Sequence, residues 1–349
     1  MQGSHHLQRR SFTSAAAVLA ASVAVPALRA QPRLEKTRIA IAVGGRSSFY
    51  YLPLTVALQL GYFHAEGLDV SIADFSGGAG ALQALAGGAV DVVSGAYEHT
   101  IAAQGRGHAW KSFVLQGRAP QIAVGVSTKA MPGFRSVAEL RGKRIGVSAP
   151  GSSTNMVANM VLRRAGLLAS DVRYVGVGTS SDALAALRSG QIDVISNVEP
   201  VMTTLEQKGE VKIISDTRTL KGSQEVFGGP MPSGCLYAPA EFVQKHPGTC
   251  QALANSIVHA LKWLRTAGPS DIIKTVPESY LLGDRGLYLA AFNKVSEAFS
   301  LDGLMPEEGA RTALKALATL DAALRPDRIQ LARTFSNEFA LRAKERFNA

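Results

Sequence analysis

The chain has 349 residues, of which 46% are hydrophobic and 18% are charged, and its formal net charge is +10. This length predicts about two domains, and the balance of apolar and charged residues is typical of a globular protein. The basic residues are scattered and are not grouped with aromatic residues, which argues against a nucleic-acid-binding protein.

The first thirty residues have the pattern of an export signal. Arg9 and Arg10 precede Phe12 and an uncharged segment, rich in Ala, Val and Leu, over residues 13–27. The paired arginines favour a twin-arginine signal, and a general secretory signal is the alternative. The apolar segment is too short to span a membrane. We therefore predict a signal peptide at residues 1–30, a periplasmic mature protein and no stable membrane insertion.

The chain has two cysteines, Cys235 and Cys250. In an oxidising compartment they could form a disulfide, although two buried free thiols are the simpler interpretation. Neither cysteine belongs to a Cys/His pattern with metal-ligand spacing. We therefore predict neither a metal site nor a catalytic cysteine.

Apolar alternation and turn residues predict an alternating series of strands and helices, followed by a helical C-terminal part. The predicted strands are 37–43, 67–72, 112–116, 122–127, 145–147, 172–177 and 211–215. A helix with Pro53 in its first turn ends near Gly61, a short helix covers 136–141, and another ends at Arg164. Residues 216–234 are predicted to be a loop. The C-terminal helices are predicted at 239–246, 248–267, 284–299, 306–324 and 326–347.

An internal repeat organises the first two thirds of the chain. Residues 81–94 and 183–196 match at a constant offset of 102 residues. Each copy predicts a helix, a glycine that ends it, and an apolar strand opened by Asp91 or Asp193. Two such α/β units predict a ligand cleft between them at the strand ends. The two aspartates are expected to bind local N–H groups rather than ligand.

The loops between strands and helices are the predicted binding elements. Residues 76–80 are glycine-rich but lack the spacing of a dinucleotide-binding loop. They are expected to expose N–H groups at a helix N-terminus, which suits a small anion. The equivalent loop of the second unit, residues 150–155, carries hydroxyl side chains.

Several short motifs, in their order and spacing, carry a resemblance to a known family. They are residues 53–54, 61–63, 66–70, 88–91, 140–147, 190–193 and the pair Glu199-Pro200. Over residues 37–325 the chain resembles the type II periplasmic solute-binding proteins of ABC importers, in the nitrate/sulfonate/taurine-like branch.

The resemblance implies an α/β fold of two Rossmann-like lobes joined by two crossover segments, with the ligand cleft between the lobes. Lobe I would comprise residues 31–120 plus 235–349, and lobe II residues 121–234, with crossovers near 118–126 and 227–236. The lobes would close on a small-molecule ligand and dock on an ABC permease and its ATPase. A monomer without a cofactor, and not an enzyme, is expected.

The candidate ligand-binding residues lie in the strand-to-helix loops of both lobes. In the first lobe and its crossover they are Arg46, Ser47, Ser48, Phe49, Gly77, Gly78, Ala96, Tyr97 and Arg118; in the second they are Ser152, Ser153, Thr154, Thr179, Asn197 and Glu199. Arg46 and Arg118 are the predicted charge partners of an anion. If Glu98 and Glu199 both face the cleft, they favour an amine-bearing or hydroxylated ligand over a simple sulfonate.

Two other classes of function are open at this point. An enzyme on the same fold, desulfinase-like or pyrimidine-synthase-like, would need a reactive group, but the first-strand loop carries Ser47 and Ser48 instead of a cysteine. A periplasmic sensor would require a separate signalling partner. Sulfonates, taurine, nitrate, bicarbonate, carboxylates and pyrimidines are all candidate ligands.

Overall fold

The computed structural model describes Gln2 and residues 34–349. Residues Leu34–Ala349 form one compact unit. Apart from Gln2, the predicted export signal at residues 1–30 lies outside the described residues, so it stays a prediction. No helix among the described residues has the length and apolar character needed to cross a membrane.

The described strands form two five-stranded sheets. They are β1 (Arg38–Val43), β2 (Asp69–Asp74), β3 (Val92–Ala96), β4 (Trp110–Leu115), β5 (Ile122–Ser127), β6 (Arg144–Val147), β7 (Arg173–Gly176), β8 (Val194–Val198), β9 (Val211–Asp216) and β10 (Gly234–Pro239). The first sheet has the order β2-β1-β3-β10-β4 and the second has the order β7-β6-β8-β5-β9. Four strands of each sheet run in the same direction, and β10 or β5 pairs antiparallel with both of its neighbours. The two sheets therefore have the same pattern.

Helices connect the parallel strands and make up most of the C-terminal part. They are α1 (Leu52–Gln59), α2 (Tyr62–Ala65), α3 (Gly78–Ala86), α4 (Glu98–Gly105), α5 (Ser153–Arg164), α6 (Ser181–Arg188), α7 (Val201–Gln207), α8 (Leu220–Phe227), α9 (Ala240–Lys245), α10 (Pro247–Thr266), α11 (Pro269–Thr275), α12 (Arg285–Val295), α13 (Glu307–Leu320) and α14 (Glu338–Phe347). Pro53 lies in the first turn of α1, where its missing N–H has no intrahelical partner to lose. Short 3-10 turns link several of these helices.

The sequence repeat corresponds to a structural repeat. Its copies are α3 with β3 in the first sheet and α6 with β8 in the second, and β3 and β8 hold the same place in their sheets. A carboxylate oxygen of Asp91 accepts a hydrogen bond from the N–H of Ala40 at 3.1 Å, and one of Asp193 accepts from the N–H of Arg144 at 3.0 Å. Each aspartate thus ties its own strand to the neighbouring strand of the sheet, through an N–H group that is distant along the chain and not local as predicted.

The two segments that pass between the sheets lie side by side. The N–H of Gly117 donates to the carbonyl of Gly234 at 2.9 Å, and the N–H of Ser233 donates to the carbonyl of Gly117 at the same distance. Further along, the N–H of Gln121 donates to the carbonyl of Thr217 at 3.0 Å. The β5 and β10 strands that follow these segments are the antiparallel members of their sheets.

The predicted loop at 216–234 was wrong, because it contains α8. Thr219 is the N-cap of this helix, and its hydroxyl accepts a hydrogen bond from the N–H of Gly222 at 3.0 Å. Val226 and Phe227 are buried. The glycines of the segment made it resemble a loop in the sequence. Its N-cap and its buried apolar residues nevertheless stabilise a short helix.

The single helix predicted at 326–347 was also wrong, because only α14 is an α-helix there. The preceding residues form two 3-10 turns and an extended segment. The N–H of Ser112 in β4 donates to the carbonyl of Thr334 at 2.9 Å, and the N–H of Ser336 donates back to the carbonyl of Ser112 at 2.8 Å. Pairing with the free edge of β4 therefore replaces helical hydrogen bonds in this segment.

The C-terminal helices contact both sheet regions. α13 packs against α4, which follows β3 of the first sheet, and against α5, which follows β6 of the second. Buried apolar residues of both sheets, such as Ile41 and Val147, belong to one continuous cluster, and a smaller cluster covers another part of the second sheet. The two sheets are thus held together by packing as well as by the two connecting segments.

Candidate functional site

A cavity lies where the carboxyl ends of strands from the two sheets meet. It is lined from the first sheet by Gly44, Ser48, Tyr50, Tyr51, Gly78, Ala96 and His99, and from the second by Ile122, Ser148, Ser152, Ser153, Thr154, Thr179 and Val198. Its volume is about 30 Å³, compared with the roughly 10–15 Å³ that one water molecule requires. A ligand of more than a few atoms therefore requires the two sides to separate or their side chains to rotate.

The fold places these residues together because parallel strands present their carboxyl ends at the same edge of a sheet. In the first sheet, Gly44 follows β1 and Ala96 ends β3. In the second sheet, Ser148 follows β6 and Val198 ends β8. This edge is the usual ligand site of open α/β sheets.

The two sides of the cavity contact each other directly. The N–H of Phe49 donates to the carbonyl of Glu199 at 3.1 Å, and the N–H of Ala79 donates to Oγ of Ser152 at 2.9 Å. The hydroxyl of Ser153 donates to Oε1 of Glu98 at 2.6 Å. Each bond joins a residue on the side of the first sheet to a residue on the side of the second, so the two sides are in contact around the cavity.

One glycine is required by this close approach. Gly45 has a φ of +100°, a conformation that disfavours other residues, and a Cβ atom on it would lie 1.9 Å from Oγ1 of Thr179. The loop after β1 therefore reaches the second sheet only because this position has no side chain.

Two helix N-termini, one from each side, point to the cavity. Gly78 is the first residue of α3, and Ser153 and Thr154 open α5; all three line the cavity. The first N–H groups of a helix have no intrahelical acceptor, and the helix dipole adds partial positive charge there. The cavity therefore has the features of an anion site that uses no charged side chain.

The cavity lining contains no lysine, arginine, aspartate or glutamate among the described residues. Its titratable groups are His99, Tyr50 and Tyr51. Burial, with a smaller effect of Arg106, lowers the pKa of His99 to about 4, so its imidazole is neutral at pH 7. Burial also raises the pKa of Tyr51, whose hydroxyl accepts a hydrogen bond from the N–H of Gly44 at 3.0 Å. The lining is uncharged at neutral pH.

The structure brings together about half of the predicted ligand-binding residues. Those that line the cavity are Ser48, Gly78, Ala96, Ser152, Ser153, Thr154 and Thr179. Some of their hydroxyls have local partners: Oγ of Ser48 donates to the carbonyl of Gly45, and Oγ1 of Thr154 accepts from the N–H of Ser148. Such bonds orient the hydroxyls while leaving hydrogen-bonding capacity for a ligand.

The two predicted charge partners lie elsewhere. Nε of Arg46 donates to the hydroxyl of Tyr280 at 2.8 Å, and its side chain lies beside a separate small cavity next to α1. Nε of Arg118 donates to the carbonyl of Glu297 at 2.9 Å. Both guanidinium groups bind residues in the C-terminal part of the chain. The position of that part could not be deduced from the sequences of the loops.

Six other predicted residues do not line the cavity. The Phe49 ring packs on Tyr288 at a centroid distance of 4.4 Å. The hydroxyl of Tyr97 is 2.6 Å from Oγ1 of Thr334, and Nδ2 of Asn197 donates to the carbonyl of Gly178 at 2.9 Å. Ser47, Gly77 and Glu199 are likewise absent from the lining. The side chains of Phe49, Tyr97 and Asn197 instead make contacts within the protein.

The sequence reasoning missed several residues of the lining, chiefly His99, Ser148, Ile122 and Val198. Ser148 directly follows β6, and Val198 is the last residue of β8, so their position relative to the strand ends could have identified them. His99 required knowledge of α4, whose first turn places its ring next to Gly78.

A larger groove of about 640 Å³ lies on another part of the surface. It is lined by residues such as Ala109, Lys111 and Ala240. These residues lie at the start of β4 and just after β10, and none of the lining comes from the second sheet. The groove therefore does not belong to the site between the sheets.

The chain thus has two α/β sheets with one antiparallel strand each, and a cavity between their carboxyl ends. A model of the family described as NMT1/THI5 like matches residues 48–267. The match covers more than half of the chain, and the chain belongs to this family.

Two curated relatives illustrate the range of the family. A protein of Brucella abortus (strain 2308) named as a binding protein is 26% identical over 241 residues, which cover 67% of this chain and 70% of that protein. The 4-amino-5-hydroxymethyl-2-methylpyrimidine phosphate synthase of Schizosaccharomyces pombe is 26% identical over 232 residues, which cover 64% of each protein.

Solved structures share the fold. A protein from Bordetella bronchiseptica RB50 is 55% identical with a TM-score of 0.90, covering 91% of this chain and 100% of that one. The alkanesulfonate-binding protein SsuA of Xanthomonas axonopodis, bound to MOPS, is 19% identical with a TM-score of 0.68, covering 87% and 100%. The nitrate-binding protein NrtA of Synechocystis PCC 6803 has a TM-score of 0.64 at 14% identity, covering 90% and 89%. The predicted α/β fold of the type II periplasmic binding proteins is confirmed.

Proposed function

We propose that the chain is the periplasmic solute-binding component of an ABC transporter, and that it captures a small anion and delivers it to a membrane permease. The observation that carries the proposal is the meeting of the α3 and α5 N-termini, from the sides of different sheets, at one cavity. A solute-binding role is supported by the fold and by relatives named as binding proteins. The partnership with an ABC transporter and the anionic ligand are proposals that go beyond this solute-binding role.

Helix N-termini and hydroxyl groups account for anion binding without an arginine. Backbone N–H groups and serine or threonine hydroxyls can surround a sulfonate, nitrate or carboxylate with hydrogen bonds. Because Arg46 and Arg118 have other partners, the first residues of α3 and α5 replace them in this proposal. Sulfonate, taurine and nitrate-like ligands remain within the proposed class.

We also propose that the two sheets form the lobes of a closing cleft, with lobe I at residues 31–120 plus 235–349 and lobe II at residues 121–234. Opening would break the bonds from Phe49 to Glu199, from Ala79 to Ser152 and from Ser153 to Glu98, and would bend the paired segments at Gly117. Ligand would re-form the closed arrangement by adding contacts to both lobes.

A binding role fits the cavity better than catalysis. In the described part of the chain, the Ser48 hydroxyl donates to the carbonyl of Gly45, and Nδ1 of His99 lies 3.2 Å from the hydroxyl of Tyr237. Neither residue is thereby arranged as a nucleophile activated by a base. Cys235 is buried, and burial raises the pKa of its thiol to about 12. The enzyme alternative rests on the synthase relative.

The test is the thermal unfolding of the purified protein with a panel of sulfonates, nitrate, bicarbonate, carboxylates and pyrimidines. A ligand at about 100 times its Kd adds roughly 2.7 kcal/mol, which raises Tm by a few degrees. Mass spectrometry of the released compound should recover it unchanged. Recovery of a chemically altered compound would favour the enzyme alternative instead.

A matched pair of variants locates the site. Gly78→Asp places a carboxylate at the cavity, where the nearest neighbour of the added Cβ atom would be a carbon of the His99 ring at 3.4 Å. Gly133→Asp makes the same change at an exposed turn with no neighbour within 4 Å. We expect Gly78→Asp to abolish the anion-dependent Tm shift and Gly133→Asp to keep it. An unchanged shift in Gly78→Asp would refute the anion site.

A further inference from the structure

Glu98 is a buried acid that contacts a residue of the cavity lining but does not itself line the cavity. It is the first residue of α4, its exposed fraction is 2%, and it lies between the two sheets because its side chain meets Ser153 of α5. Its chain neighbour His99 and its partner Ser153 both line the cavity. The carboxyl group is therefore adjacent to the site proposed above.

The two carboxyl oxygens of Glu98 differ in their partners. Oε1 accepts a hydrogen bond from the hydroxyl of Ser153 at 2.6 Å. Oε2 is fully buried and has no hydrogen-bond partner in the described structure. A buried oxygen of this kind loses its hydrogen bonds to water and makes none to the protein, so it lowers the stability of the folded protein.

The groups around Glu98 supply no positive charge. The titratable side chains close enough to be affected by it are Tyr50, Tyr51, Cys235 and Tyr237, and burial holds the pKa of each above its usual range. His99 is neutral at pH 7. No lysine or arginine within residues 34–349 forms an ion pair with Glu98. Burial accordingly raises the pKa of Glu98.

Glu199 is the buried acid on the other side of the cleft, and its hydrogen bonds are those of a carboxylate with a structural role. Its Oε1 is 2.6 Å from a guanidinium nitrogen of Arg218 and 2.8 Å from Oγ1 of Thr203, and its Oε2 accepts from the N–H of Thr203 at 2.8 Å. Both oxygens of Glu199 are therefore satisfied within the protein. Glu98 lacks the cation and the second partner that Glu199 has.

We propose that Glu98 is the specificity-determining residue for a ligand that carries an ammonium or similar N–H donor, which binds Oε2. The inference rests on the proposed function and narrows its ligand class to a small zwitterion. The anionic group lies at the N-termini of α3 and α5, and the ammonium group lies against Glu98. A simple anion leaves Oε2 without a partner and binds more weakly.

The first test needs no ligand. Glu98→Gln removes a buried group that prefers to be neutral and keeps its shape, so the variant should have a higher Tm than the parent at pH 8. A carboxyl with a raised folded-state pKa loses stability as pH rises, so the difference in Tm should shrink toward pH 5. Glu307→Gln changes an exposed acid in the same way and should leave Tm within about 1 °C. A Tm difference that is the same at pH 8 and at pH 5 would overturn the inference, because it would show that the buried charge of Glu98 costs the folded protein nothing.

The second test uses two pairs of probes that differ only in the amine: taurine with ethanesulfonate, and β-alanine with propanoate. Isothermal titration should show that the amine-bearing member of at least one pair binds at least tenfold more tightly. Glu98→Gln should remove this preference, whereas Glu307→Gln should preserve it. Equal affinity within both pairs would overturn the role of Glu98 and leave the anion site standing. Absence of binding by all four probes would instead overturn the anion class, and this inference with it.

Discussion

The ion pair between Arg218 and Glu199 allows a sharp test of how the second sheet is stabilised. The Arg218 side chain is 3% exposed and that of Glu199 is fully buried. The guanidinium also contacts both oxygens of Asp216 at 2.8 and 2.6 Å, and Oε2 of Glu206 at 3.1 Å. One arginine therefore contacts three carboxylates, of which Glu199 has no access to water. Arg218→Met removes the charge and keeps most of the apolar side chain.

The expected cost follows from the environment of Glu199. Removing one partner of a buried ion pair leaves an uncompensated charge and destabilises a protein by about 3–5 kcal/mol. Asp216 and Glu206 are about one third exposed and can be hydrated, so they add little to this cost. For a chain of this length, about 2 °C of Tm corresponds to 1 kcal/mol, so Tm should fall by roughly 6–10 °C.

Urea unfolding at pH 7.5, followed by circular dichroism, measures the change directly. The double variant Arg218→Met/Glu199→Gln has no buried charge left unpaired and should regain at least half of the lost free energy of unfolding. Lys245→Met breaks an exposed pair with Glu241 and should cost less than about 0.5 kcal/mol. The reasoning fails if Arg218→Met costs less than about 1 kcal/mol, or if the double variant is no more stable than the single one.

Three further predictions concern other parts of the structure. The folded-state pKa of His99 is about 4, so the unfolded chain binds more protons than the folded protein below pH 6.5. Up to about 2 kcal/mol of the free energy of unfolding should therefore be lost between pH 6.5 and 5. His99→Gln should reduce this loss, which urea titrations at both pH values measure. Lys294 of α12 lies 2.6 Å from Glu206 of α7, and Lys294→Met should weaken closure of the two sides by about 1 kcal/mol. Ligand binding should become roughly fivefold weaker, and X-ray scattering should give a larger radius of gyration. Unchanged values would contradict the role of this ion pair in closure. Burial raises the pKa of both cysteines to about 12, so Cys235 and Cys250 should react with a thiol reagent only after unfolding, and rapid reaction of the native protein would contradict their placement.

The parts of the fold that depend on local sequence signals could be predicted. The repeat at 81–94 and 183–196 identified α3 with β3 and α6 with β8, because a glycine and an aspartate mark the same turn in both copies. Strand β5 was predicted at its observed bounds, since it is an apolar run that ends at Ser127. The hydroxyl-rich loop before α5 was likewise found from its sequence alone.

The parts that depend on distant contacts could not be predicted. Arg46 and Arg118 stand in loops that suit a ligand, but Tyr280 and the carbonyl of Glu297, far along the chain, bind their guanidinium groups. The segment around Phe335 has a helical pattern, but it pairs with Ser112 at the edge of β4. In each case a partner more than 150 residues away determines where the residue lies, and the local sequence pattern does not identify that partner.

The place of β10 has a consequence for the order in which the protein is assembled. Residues 34–115 supply every strand of the first sheet except β10, which lies between β3 and β4 and is synthesised more than a hundred residues later. The second sheet, in contrast, is encoded without interruption between residues 122 and 216. A nascent chain can thus complete the second sheet while the first still lacks the strand between β3 and β4. The half of the protein that is made first is finished last, and a fragment that stops before residue 234 would leave the facing edges of β3 and β4 unpaired.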